Sequence, residues 1–77
     1  MTKKEIENKI IEIFKIEFPY FKEINSDTNL TAIKEHDLDK KEFLMQVEEF
    51  FELRLAPRNL QKINTIGDLA NHIYKIY

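Results

Sequence analysis

The chain has 77 residues, a net charge of −2, no cysteine, one glycine and two prolines. Its length allows one domain, residues 1–77, with an apolar core only just large enough to hold it. Without cysteine there is no disulfide framework or thiolate zinc site, and apolar runs of two or three residues exclude a membrane-spanning helix.

The scarcity of glycine removes the tight turns that hairpins need, so the expectation is an all-α fold. The Lys-rich start has no apolar stretch of the kind that directs secretion. A cytoplasmic monomer is expected.

Thr2 and Glu5 form a capping box, in which the hydroxyl accepts the N–H three residues on and the carboxylate reaches back. A helix therefore starts near residue 3, with a stripe of Ile6, Ile10, Ile13 and Phe14 widened by Ile11 and Phe18. Pro19 disfavours helical geometry at the residue before it, so this helix ends near residue 17. From Pro19 to Glu35 the periodicity fades. The polar run Asn25 to Asn29 reads as loop, with Tyr20, Phe21, Ile24, Leu30 and Ile33 as apolar anchors. A connection this long in a small bundle is uncommon and usually functional.

A second helix is expected from Asp37 to about Leu53 or Leu55, its inner stripe formed by Leu44, Val47, Phe50 and Phe51. Its other face carries Asp39, Glu42, Glu48, Glu49 and Glu52, a row too dense in carboxylates to be buried. Pro57 suits the first position of a short helix over Arg58 to Lys62, with Leu60 and Ile63 facing inward. Thr65 and Asp68 form another cap, followed by a stripe of Ile66, Leu69, Ala70, Ile73 and Tyr74. The architecture is three main helices plus one short one.

Charge is unevenly spread. Residues 37–53 hold six acids against two bases, whereas 54–77 hold four bases against one acid. Phosphates would be repelled by the acidic helix, and Arg54, Arg58, Lys62 and Lys75 are too sparse for a nucleic-acid groove. Their simplest reading is a solvated surface. His36 with Asp37, Asp39 and Glu42 has suitable ligand chemistry for a metal, but the spacing lacks the turning glycine of a calcium loop, so no metal is expected. His72 has no evident second ligand. No Cys, no Ser beside a His and no assignable acid–base pair argues for catalysis, so the chain is not expected to be an enzyme.

The order of these elements and two stretches of wording carry a resemblance. Val47-Glu48-Glu49-Phe50-Phe51 with Leu53 and Leu55, and Lys62-Ile63-Asn64-Thr65-Ile66-Gly67-Asp68-Leu69, are similar to the acyl carrier protein family over nearly the whole chain. That resemblance implies an acyl-carrier-protein-like four-helix bundle. In the family, a Gly-x-Asp-Ser-Leu signature opens the second helix and its serine carries phosphopantetheine, whose thiol holds an acyl chain. The matching residues here are Lys34-Glu35-His36-Asp37-Leu38. Asp37 offers no hydroxyl, so no phosphopantetheine is expected. Asp can cap a helix start as well as Ser does, which keeps the structure while removing the chemistry. The one serine, Ser26, lies eleven residues upstream.

The positions through which such carriers meet their enzymes match Leu38, Asp39, Glu42, Met45, Glu48 and Glu49. The reading is a protein that docks to acyl-transfer or synthase enzymes bearing a basic patch. Two alternatives are a working acyl or peptidyl carrier in fatty-acid, polyketide or nonribosomal peptide synthesis, and a structural helper or small-lipid binder.

Overall fold

The computed structural model describes residues 1–30 and 37–77, excluding the side chains of residues 37–39 and of Pro57. The expectations placed on Ile33, Lys34, Glu35 and His36 lie outside the described residues, as do the side chains of Asp37, Leu38 and Asp39. The described residues form four helices: α1 (Lys3–Glu17), α2 (Asp37–Phe51), α3 (Pro57–Leu60) and α4 (Ile66–Ile76). They contain no strand, only an isolated bridge between Asn29 and Thr65. The result is the expected all-α bundle, in which α1 packs against both α2 and α4.

α1 begins where the capping box requires. Glu5 N–H donates to Thr2 Oγ1 at 3.1 Å and Thr2 N–H donates to Glu5 Oε1 at 2.9 Å. It ends with Phe18 N–H donating to the Phe14 carbonyl at 2.8 Å, immediately before Pro19. Ile6, Ile10, Ile13, Phe14 and Phe18 are buried, so the predicted stripe faces the core.

α1 and α2 run antiparallel. Gln46 Nε2 donates to Glu17 Oε1 at 2.6 Å at one end, while Lys9 Nζ sits 4.5 Å from the Phe50 ring centroid at the other. Between them Phe14 forms the hub of an aromatic cluster, with ring centroids 4.7 Å from Phe18, 5.2 Å from Phe21 and 5.3 Å from Phe43. Tilted and edge contacts of this kind each add roughly 0.5–1.5 kcal/mol beyond the area they bury.

This cluster decides the rotation of α2. Its inner face is Phe43, Val47 and Phe51, at spacings of four, with Leu44 only half-buried. Phe50, expected in the core, is 45% exposed. Its ring instead rests edge-on against Phe51 and beneath the Lys9 ammonium. Tyr20 and Tyr74 are also corrections to the expected core, at 55% and 52% exposed. Tyr20 contacts the rims of Phe18 and Phe21 without entering the core.

α2 stops at Phe51, sooner than its pattern suggested. Glu52 adopts φ 53°, its N–H donates to the Glu49 carbonyl at 3.3 Å, and Leu53 N–H donates to the Glu48 carbonyl at 3.1 Å. This is a Schellman closure with a glutamate in the left-handed place that glycine normally takes. α3 begins at Pro57 and is likewise shorter than expected, giving way to a turn at Gln61 and Lys62.

The loop after α1 is strapped to the start of α4. Asn25 Oδ1 accepts from Asp27 N–H at 2.8 Å and Thr28 Oγ1 accepts from Asn25 N–H at 2.9 Å, which holds the turn from within. Three backbone bonds then cross to the far segment. Gly67 N–H donates to the Ser26 carbonyl at 2.8 Å, Ile66 N–H to Thr28 at 3.1 Å, and Leu30 N–H to Asn64 at 2.7 Å. Gly67 permits this approach, because a Cβ there would lie 3.1 Å from the Ser26 oxygen. Leu30 is buried, and Phe21 and Ile24 pack partly against the core. At the other end of α4, Tyr77 meets Phe51 edge to face.

Candidate functional site

The acidic side of α2 is the candidate site that the sequence puts forward. Among its described side chains, Glu42 and Glu49 are exposed, Met45 is 52% exposed and Glu48 is half-buried. Residues three and four apart share a helix face, so Glu42, Met45, Glu48 and Glu49 lie along one side and the backbone places Asp39 a turn earlier. The inward rotation of Phe43, Val47 and Phe51 is what turns this row outward.

The carboxylates are not equivalent. Glu48 Oε2 accepts the N–H of Leu55 at 2.8 Å and so ties the chain beyond α2 back onto the helix. Leu55 is buried, so that N–H has little access to water as an alternative partner. Glu48 therefore closes the helix end, while Glu42 and Glu49 are left to face solvent. Among the described residues the ion pair present is Lys9 with Glu12 at 3.3 Å, away from this row.

An open groove of about 480 Å³ lies along the second half of the face. Its apolar contribution comes from Met45 and Leu53, its acidic one from Glu48, Glu49 and Glu52, and Arg54 stands at one side. Leu53, Glu52 and Arg54 were not among the expected docking residues. They join the groove because the left-handed turn at Glu52 folds the chain back beside α2. No glycine marks that turn in the sequence.

α2 begins at Asp37, which places this residue at the mouth of the helix as expected. Ser26 is elsewhere, in the turn whose carbonyl is held by Gly67. His72 is half-buried on α4 and lines a separate groove with Asn59, Lys62 and Lys75. Among the described residues no group of three His, Asp or Glu side chains converges as metal ligands, and no helix is long and apolar enough to cross a membrane.

The acyl carrier protein of Lactobacillus acidophilus is 31% identical to this chain over 75 residues, which cover 95% of this chain and 94% of that protein. This chain belongs to the acyl carrier protein family. The match covers nearly the whole chain and so spans all four helices. No protein-family model and no solved structure matches the chain. Acyl carrier proteins are not enzymes.

Proposed function

We propose that this chain is a single acyl-carrier-protein-like domain, residues 1–77, that bears no phosphopantetheine and works by docking to partner enzymes through α2. The observation that carries the reading is Asp37 at the first position of α2, where the family resemblance puts the modified serine. Attachment requires a hydroxyl oxygen to form a phosphodiester, and a carboxylate does not supply one. The chain's single serine, Ser26, belongs to a turn pinned by its own carbonyl to α4. The residues present do not fit the prosthetic group.

Docking is supported by the outward row of Glu42, Met45 and Glu49, with Leu38 and Asp39 added from the sequence match. The partner class is an acyl-transfer or synthase enzyme with a basic patch. Charge would set the encounter rate, and Met45 would supply adaptable apolar contact. Affinity should then fall as salt rises. The protein is read as a cytoplasmic monomer.

Intact mass after incubation with a broad-specificity phosphopantetheinyl transferase and coenzyme A tests the first half of this reading. The mass should not change, and addition of one phosphopantetheine would overturn it. For the second half, Glu42→Lys with Glu49→Lys should weaken partner binding, and an unchanged affinity would remove the docking face.

A working carrier is the second reading, favoured by membership in the family itself. It requires a covalently held group that the same mass measurement would detect. A lipid-binding role is less well supported, because the Phe14, Phe18, Phe21 and Phe43 rings fill the space between α1 and α2.

A further inference from the structure

A second groove, sharing no residue with the α2 groove, lies between α3 and α4 and has the opposite charge. Asn59 and Lys62 border it from α3 and the turn after it, and Asn71, His72 and Lys75 from α4. The groove has a volume of about 190 Å³, and the buried Ile63 is its apolar lining residue.

Its polar groups are predominantly donors. Two ammonium groups, two side-chain amides and an imidazole line it, and among the described residues neither Lys62 nor Lys75 is in an ion pair. The one carboxylate is Asp68. Its Oδ2 already accepts the N–H groups of Asn64 at 3.1 Å and Thr65 at 3.2 Å, so it is engaged in starting α4. A carboxylate held at a helix N-terminus is partly offset by the positive end of the helix. Two ammonium groups against this one carboxylate leave the groove net positive.

The donors are held by backbone geometry. Lys62 N–H donates to the Asn59 carbonyl at 3.1 Å, which fixes the turn that presents both side chains. His72 and Lys75 are three apart on α4 and so share a face. We infer that the α3–α4 groove binds a small phosphate-type anion, either free phosphate or the phosphate of a monoester whose organic part rests on Ile63. The volume suits a small anion better than a nucleic-acid strand, and several donors lining one small groove suit a group with several acceptor oxygens.

The test is a titration of the full chain with inorganic phosphate, then with phenyl phosphate, followed by amide chemical shifts, with sodium chloride at matched ionic strength as reference. Saturable shifts confined to residues 59–63 and 68–75 are expected. Lys62→Gln with Lys75→Gln should weaken binding roughly tenfold, as expected for the loss of two exposed charge contacts, while Lys22→Gln, an exposed lysine outside the groove, leaves it unchanged. Both lysines are exposed, and an unchanged helical spectrum verifies the fold of the variant. Tighter binding of phenyl phosphate identifies a monoester as the ligand, and equal binding identifies the free anion. Shifts that chloride reproduces, that rise linearly without saturating, or that keep the same affinity in the double variant would overturn the assignment.

Discussion

Replacing Glu48 by alanine separates the structural carboxylate of α2 from the docking ones. The Leu55 N–H would lose its acceptor at 2.8 Å, and the buried position of Leu55 limits replacement by water. A hydrogen bond to a charged group contributes roughly 1.5–3 kcal/mol, and the half-exposed setting of Glu48 brings this nearer 1 kcal/mol. Alanine recovers a few tenths through its better helix propensity. A net loss of about 0.7 kcal/mol corresponds to a fall in Tm of roughly 3–6 °C for a domain of this size. Glu48→Gln keeps an acceptor oxygen and should lose less than half as much. Glu49→Ala should leave Tm within about 1 °C, since exposed substitutions away from such contacts are close to neutral. The assay is thermal unfolding followed by circular dichroism. Equal Tm values for Glu48→Ala and Glu49→Ala would refute the distinction and return Glu48 to the solvated row.

Three other substitutions probe the fold that presents this face. Glu52→Gly should raise stability by about 0.5 kcal/mol, because relief of a left-handed residue, about 1 kcal/mol, outweighs the added freedom of the unfolded chain. Chemical denaturation would detect it as a higher midpoint, and a lower midpoint would contradict the closure at φ 53°. Phe14→Ala removes the hub of the ring cluster and should cost roughly 3–5 kcal/mol, a large share of the roughly 4–12 kcal/mol total for a domain of this length. Near-native denaturation of that variant would mean the cluster is not the centre of the core. The Glu5 carboxyl is held below its ordinary value of 4.5, chiefly by the Thr2 backbone N–H and then by the Thr2 hydroxyl. Its contribution to α1 is therefore present above that value and lost as pH falls through the lowered one. A carboxyl titration followed by NMR should place the Glu5 midpoint below 4.5, and Thr2→Ala should move it upward.

Helix starts were the most legible features, since both capping boxes are complete local signals contained within four residues. α1 was equally clear because its stripe has no competing phase. α2 was harder. Phe43 and Leu44, and Phe50 and Phe51, are adjacent apolar pairs, and either member of each pair gives an acceptable helical period. The choice came from across the interface, where Phe14 and Phe18 accept Phe43 and the Lys9 ammonium covers Phe50. No pattern within α2 records that preference. The same holds at its end. Glutamate at a left-handed position is not a turn signal, so Leu53 and Arg54 were read as helix and their place beside the groove was missed. In the acidic row the sequence distinguishes residue type but not occupation, and only the Leu55 contact shows Glu48 to be committed.

The crossing of Ser26, Thr28 and Leu30 to Asn64, Ile66 and Gly67 also has a kinetic consequence. These partners are separated by almost half the chain, so their union carries a loop-closure cost that no neighbouring contact offsets in advance. While the chain emerges from the ribosome, α1 and α2 are available first, but the turn at Asn25–Thr28 has nothing to clasp until the start of α4 follows. Completion of the bundle therefore waits on its last helix, and a nascent chain halted before Asn64 would hold the long loop without its fastening.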